Sequence, residues 1–158
     1  GRTQEIQRLI GRSLRTVTDL KALGARTILM DCDVIQADGG TRTAAITGAF
    51  VALVEALEHL RQQGIFQSLP VRDLVAATSV GLLGNEPLLD LAYEEDARVR
   101  VDMNLVMTAQ GGLLELQGTG EKGTFTESEL QALLVLDKAG IQEIIQAQKV
   151  VLKGLSSF

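Results

Sequence analysis

Residues 36–50, "QADGGTRTAAITGAF", bring two glycines, a hydroxyl and an arginine to a point where one sequence pattern gives way to another. Gly39 and Gly40 let a backbone approach a ligand, Thr41 adds a hydroxyl donor, and Arg42 offers a two-pronged guanidinium that matches phosphate oxygens. A helix starting just downstream would aim free backbone N–H groups at the same spot. Together these parts make an anion cradle. The spacing is not that of a Walker P-loop, because no Lys-Ser or Lys-Thr follows the glycines, and it is not the dinucleotide GxGxxG pattern. On this segment alone, an ordinary glycine turn and helix cap outweighs a ligand site.

A second constellation lies in "DLAYEEDARVRVDMNLVM". Strand alternation would put Asp90, Glu94 and Asp96 on one face and Asp102 with Asn104 on the strand that follows. Carboxylates repel a polyanionic substrate unless a divalent cation intervenes, and hard oxygen ligands of this kind suit magnesium or manganese. For Glu94 and Glu95 a solvated polar face is the better reading; for Asp96 and Asp102 the two readings stand even. Asp31 and Asp33 either join the cluster or face solvent, and spacing alone does not decide. No His and Cys pair has zinc-ligand spacing and no GxSxG elbow is present, which argues against zinc hydrolysis and an α/β-hydrolase triad. With aromatics at 3%, a site that stacks unpaired bases is poorly supplied, so any RNA contact would rest on arginines and backbone groups, with low sequence specificity.

The elements that must position these residues follow from periodicity. Ile6, Leu9, Ile10, Val17 and Leu20 predict an amphipathic helix over 3–23 with Gly24 as its stop, and Arg8, Arg12 and Arg15 line another side of it. "RTILMDCDVIQ" alternates as a strand. A broad apolar face over 43–64 predicts a second helix, in which His59 sits near the C-terminal carbonyls rather than in a catalytic role. Gly84-Asn85 and Gln110-Gly111-Gly112 mark two hairpins, the second with Val99, Val101, Met103, Leu105 and Met107 on one face. Thr126 and Glu129 form a capping box for a long last helix in which Gly140 is a candidate interruption. The order helix, strand, helix, four strands, helix predicts an α+β layer on a largely antiparallel or mixed sheet. At 158 residues and 46% hydrophobic content the chain reads as one domain. A net charge of −5 gives no global reason to expect nucleic acid, although local basic patches can still bind phosphates. The lone Cys32 excludes an intramolecular disulfide and, with no signal-like segment, points to the cytoplasm. No apolar run of membrane-spanning length is evident, so no membrane partner is expected.

"GRTQEIQRLIGRSLR", "DCDVIQADGGTRTAAITGAFVAL", "DLAYEEDARVRVDMNLVMT" and "ELQGTGE", in this order, resemble the ribonuclease PH family over nearly the whole chain. The resemblance implies the ribosomal protein S5 domain 2-like (ribonuclease PH) fold, with a mixed sheet packed against helices. It implies a phosphate-dependent 3′-to-5′ exoribonuclease that trims transfer RNA precursors and other RNA 3′ ends and releases nucleoside diphosphates. Phosphate binding falls to Arg2, Gly40, Thr41 and Arg42, and metal binding and catalysis to Asp96 and Asp102, with magnesium or manganese as the ion. Metal ligation is favoured over a general-acid role for the two aspartates. A homohexamer built as a trimer of dimers is implied, and subunit contacts are preferred over RNA guidance for Arg8, Arg12 and Arg15. Family members carry a substantial N-terminal portion before the GRT segment, including strands of the sheet, which residues 1–158 are expected to lack. Two alternatives are one module of a polynucleotide phosphorylase and a non-catalytic ring subunit of an exosome-like assembly.

Overall fold

A computed structural model describes residues 2–153, and the backbone alone of Arg2. The elements are α1 (Arg2–Val17), α2 (Leu20–Leu23), α3 (Thr41–Gln62), β1 (Val75–Leu83), β2 (Glu86–Leu89), α4 (Tyr93–Asp96), β3 (Val101–Thr108), β4 (Leu113–Gly120) and α5 (Glu127–Val151). The four strands form one sheet in the order β2-β1-β3-β4, every pair antiparallel. Both hairpins form where the glycine turns predict them. Leu83 pairs with Glu86 across Gly84-Asn85, and the 108–113 turn joins β3 to β4 after a register shift between Val106 and Met107.

Several expectations need correction. The helix over 3–23 is broken at Thr18, which bridges to Val71 while Asp19 N donates to Pro70 O (2.9 Å) and Arg72 N to Val17 O (2.7 Å). The Asp19 carboxylate then accepts from the amides of Lys21 and Ala22, so a new helical turn starts there and ends at Gly24. The strand expected over "RTILMDCDVIQ" has no ladder partner among the described residues. Its alternation survives only in part: Ile28 and Met30 pack on the core, while Leu29 and Ile35 are 90% and 96% exposed. Among the described residues the sheet is antiparallel throughout, the first of the two expected arrangements.

The third correction concerns α3. It is long and apolar enough to cross a membrane by length and composition, contrary to the expectation that no segment is. Its apolar stripe, Ile46, Phe50, Leu53, Val54 and Leu57, is buried in the main core with residues of α1, β1, β3 and α5. A smaller cluster of Val80, Leu82, Val101, Met103 and Leu133 lies where α5 crosses β1 and β3.

β2 pairs only with the second half of β1, which leaves part of that edge without a strand. Side chains close it. Thr47 Oγ1 accepts from Ala77 N (3.1 Å), and Gln148 Nε2 donates to Val75 O (2.9 Å) and Thr47 O (3.3 Å). These bonds seat α3 and α5 against the strand and satisfy buried backbone groups that would otherwise be costly. Gly140 does not interrupt α5: a Cβ there would lie 2.7 Å from Leu89 Cδ1, so the glycine marks a close approach of β2.

The expected capping box at the start of α5 is present, with Glu129 N donating to Thr126 Oγ1 (3.2 Å) and Thr126 N to Glu129 Oε2 (2.7 Å). Replacing Thr126 by alanine is expected to lower stability by about 1 kcal/mol. Urea titration checks this, and an unchanged midpoint would mean the cap contributes nothing.

Candidate active site

Gly40 is the N-cap of α3 and sits in the left-handed region (φ 63°, ψ 25°), so the chain can turn sharply from the loop into the helix. With no side chain, it cannot cap the amides of the first turn, and no acidic residue occupies that turn. Thr43 Oγ1 turns back to Gly40 O (2.8 Å) instead. An uncapped helix start of this kind attracts an external anion. Half-buried Arg42 adds a full positive charge there, held only loosely by Glu5 at 4.0 Å.

Opposite this start lie the carboxylates. Asp102 on β3 pairs in register with Gly81, and Asn104 pairs with Ser79, so both look toward the loop from neighbouring positions on one sheet face. Gly81 is glycine because a Cβ there would meet Val101 O at 2.7 Å and Leu91 Cδ1 at 2.8 Å. Burial pushes the Asp102 carboxyl above the ordinary carboxylate range, the Asp96 charge raises it further, Arg42 partly offsets this, and Glu121 adds to the rise. A cavity of about 60 Å³ is lined by Gly40, Thr41, Arg42, Asp96, Asp102 and Asn104. That is a space on the scale of one small tetrahedral anion or a few waters.

The structure therefore gathers five of the six residues singled out for the site, while the Arg2 side chain lies outside the described residues. The common strand face expected for Asp90, Glu94 and Asp96 does not form. β2 stops at Leu89, Asp90 adopts φ 56°, and residues 93–96 make a single helical turn. Two carboxylates stabilise that turn: Glu95 Oε2 accepts from Ala92 N (2.9 Å) and Asp38 Oδ1 from Tyr93 N (2.9 Å). Asp31 and Asp33 are exposed on the unpaired 25–40 segment and do not line the cavity. His59 is exposed and bonded to Gln63 (2.9 Å), in keeping with its reading.

Gly39 has a different purpose from the one its type predicts. A Cβ there would lie 1.8 Å from Leu91 O, so its lack of a side chain serves contact with the 90–93 segment, not with a ligand. Ser79 and Leu91 also line the cavity, and neither is conspicuous in the sequence, since Ser79 sits inside an apolar strand run. Only pairing with Asn104 brings it into view. Among the described residues no group of three or more His, Cys, Asp or Glu side chains could hold a metal. Asp96, Asp102 and the Asn104 amide oxygen remain a small set of hard oxygen donors, adequate for magnesium, which keeps several waters.

A family model described as 3′ exoribonuclease family, domain 1, matches residues 1–57, and domain 2 of the same family matches residues 73–136. The chain is 58% identical over 152 residues to a protein named ribonuclease PH from Syntrophomonas wolfei, and 60% identical over 153 residues to one from Listeria welshimeri. The chain belongs to the ribonuclease PH family. Each alignment covers 96% of this chain but only 64% and 62% of the relatives, so the chain spans less than two thirds of their length. The ribonuclease PH fold is also that of rice (Oryza sativa) Rrp46, with TM-score 0.68 at 18% identity over 96% of this chain and 66% of that one. An Archaeoglobus fulgidus exosome structure described as having RNA bound to the active site gives TM-score 0.70 at 19% identity, over 93% and 61% of the two chains. In this ribonuclease PH family chain the candidate site straddles the two matched stretches: Gly40, Thr41 and Arg42 come from the first, Asp96, Asp102 and Asn104 from the second.

Proposed function

We propose that this chain carries the phosphate-binding and metal-binding side of a phosphate-dependent 3′-to-5′ exoribonuclease, a tRNA nucleotidyltransferase that trims transfer RNA precursors. The observation that carries the reading is the single small cavity in which an uncapped helix start and Arg42 face Asp96 and Asp102. Phosphorolysis brings two anions together, and each needs its own treatment: the attacking phosphate a positive holder, the scissile group charge neutralisation. The identity to proteins named ribonuclease PH supports the same reading.

An oxygen of bound phosphate attacks the phosphorus of the last phosphodiester. The bond from that phosphorus to the 3′ oxygen of the penultimate nucleotide breaks, the freed 3′ oxygen takes a proton, and the terminal nucleotide leaves as its diphosphate. Gly40 and Thr41 present backbone and hydroxyl donors to the phosphate, Arg42 clamps it, and we assign Arg2 to the same task. Asp96 and Asp102 would hold magnesium or manganese, which supplies charge neutralisation at the scissile group. We further propose a homohexamer, a trimer of dimers, in which Arg8 and Arg15, exposed along α1, make subunit contacts. Arg12 is already engaged with Glu115 on β4 at 3.2 Å. A non-catalytic ring subunit would have no chemical use for Arg42 set against a carboxylate pair.

The full-length protein is to be incubated with 3′-extended transfer RNA with and without phosphate. Nucleoside diphosphates released only with phosphate are expected; monophosphates released without it, or no product, would overturn the reading. In the same assay Arg42→Ala should raise the phosphate KM by ~10–100-fold, the effect of losing a charge-assisted two-pronged contact. An unchanged phosphate KM would remove Arg42 from phosphate binding.

A further inference from the structure

The loop at 38–40 docks on the 90–93 segment at three consecutive residues. Asp38 Oδ1 accepts from Tyr93 N at 2.9 Å across 55 positions of sequence. Gly39 presses so closely on Leu91 O that a Cβ would lie 1.8 Å from it. A Cβ on Gly40 would lie 3.6 Å from Asp90 Oδ1 and 3.9 Å from Ser79 Oγ. The receiving segment is itself anchored to β1, with Asp90 N donating to Ser79 O (2.7 Å) and Leu91 N to Ser79 Oγ (3.3 Å). Asp90 adopts a left-handed φ of 56°, a region that aspartate enters more readily than most side chains.

This contact joins the two halves of the proposed site. Two residues past Gly40 is Arg42, and three past Tyr93 is Asp96. α4 has only four residues, too few to be stable by its own hydrogen bonds. At its N-terminal end Glu95 and Asp38 supply the side-chain caps, and of these two Asp38 comes from outside the turn. At its C-terminal end Lys122 Nζ donates to Ala97 O (2.6 Å), on the side away from the phosphate loop. We infer that Asp38 is a positioning residue, tying the phosphate loop to the helical turn that carries Asp96 and so fixing the separation between the phosphate holder and the carboxylate pair. The inference rests on the proposed function for its catalytic consequence. Asp38 is exposed and touches no reacting group, so it acts through Asp96. Gly39 and Gly40 meet the same segment through close contacts of their own, so cutting the tether is expected to act mainly on the aim of α4.

The test compares Asp38→Ala, which deletes the acceptor, with Asp38→Asn, which keeps the Oδ1 acceptor, in the full-length protein. Steady-state rates on 3′-extended RNA give kcat and phosphate KM, and hydrogen exchange reports the amides of residues 92–97. For Asp38→Ala we expect kcat lowered at least ~10-fold with phosphate KM within ~3-fold of wild type, because misplacing a reacting group by about an ångström loses rate rather than ground-state binding. The 92–97 amides exchange faster in that variant, and Asp38→Asn restores both readouts to near wild type. A kcat within ~2-fold of wild type for Asp38→Ala, equal losses in both variants, or a loss confined to phosphate KM would overturn the inference. A wild-type protein that releases no nucleoside diphosphate would instead overturn the proposed function, and the exchange rates would then decide the tether on their own.

Discussion

Replacing Asp102 by asparagine is expected to lower kcat by ~10²–10⁴-fold, the range associated with removing a charged group that acts on the reacting atoms. The substitution keeps the size of the half-buried side chain and removes its charge, so the cavity between the start of α3 and the sheet should stay intact. Magnesium titration gives the second readout: the variant should need far more metal than wild type, because one of two carboxylates is gone. Burial and the Asp96 charge hold the Asp102 carboxyl above the ordinary carboxylate range, and that sets the sign of a pH test. A metal ligand works deprotonated, so activity should be lost as pH falls through this raised value. Activity lost as pH rises through it would assign Asp102 to proton donation toward the departing 3′ oxygen. Wild-type turnover by the variant at limiting magnesium would remove Asp102 from the mechanism altogether.

The second large effect concerns stability and lies far from the chemistry. Asp137 is fully buried in α5, one helical turn from Leu133 on one side and Ile141 on the other, and among the described residues neither of its carboxylate oxygens has a hydrogen-bond partner. Burial pushes its carboxyl from 3.8 up to about 8. The folded protein therefore keeps this proton between about pH 4 and about pH 8, where the unfolded chain has released it. Stability from this group is greatest below pH 4, falls steadily as pH rises to about 8, and is level above that. Asp137→Ala removes the unpartnered carboxyl and puts the best helix former in its place. We expect the variant to melt higher than wild type by several degrees at pH 9, at roughly 2–4 °C per kcal/mol for a chain of this size, and by much less at pH 5. A difference independent of pH, or a lower melting temperature at pH 9, would show that the carboxyl does not ionise in place.

Much of this architecture is legible in the sequence because local physics writes it there. Alternating Val101, Met103, Leu105 and Met107 can bury only one face of a strand, and Thr126 with Glu129 can cap only a helix start. The residue types of the candidate site were legible for the same reason: a glycine pair before Thr41 and Arg42 at a helix start supplies the parts of an anion cradle, although taken alone the segment reads first as a glycine turn and cap. The strand expected over "RTILMDCDVIQ" and the strand face expected for Asp90, Glu94 and Asp96 were not decided locally. A strand exists only when a partner completes its hydrogen bonds, and alternation carries no information about the partner. Residues 93–96 instead form a helical turn whose first amide is accepted by Asp38, a residue 55 positions away.

The sequence by itself thus marked Thr41, Arg42, Asp96 and Asp102 as side chains with chemical capacity and laid out both hairpins and the long helices α3 and α5, because residue type and period act over a few residues. Their assignment to phosphate and metal rests on the family resemblance. Tertiary structure alone decided that Arg42 and Asp102 face one another, that Gly39 serves Leu91 rather than a ligand, and that Asp137 is buried with no hydrogen-bond partner among the described residues. Each of these depends on contacts between residues far apart in the chain, where burial and charge act through space and leave no trace in local order.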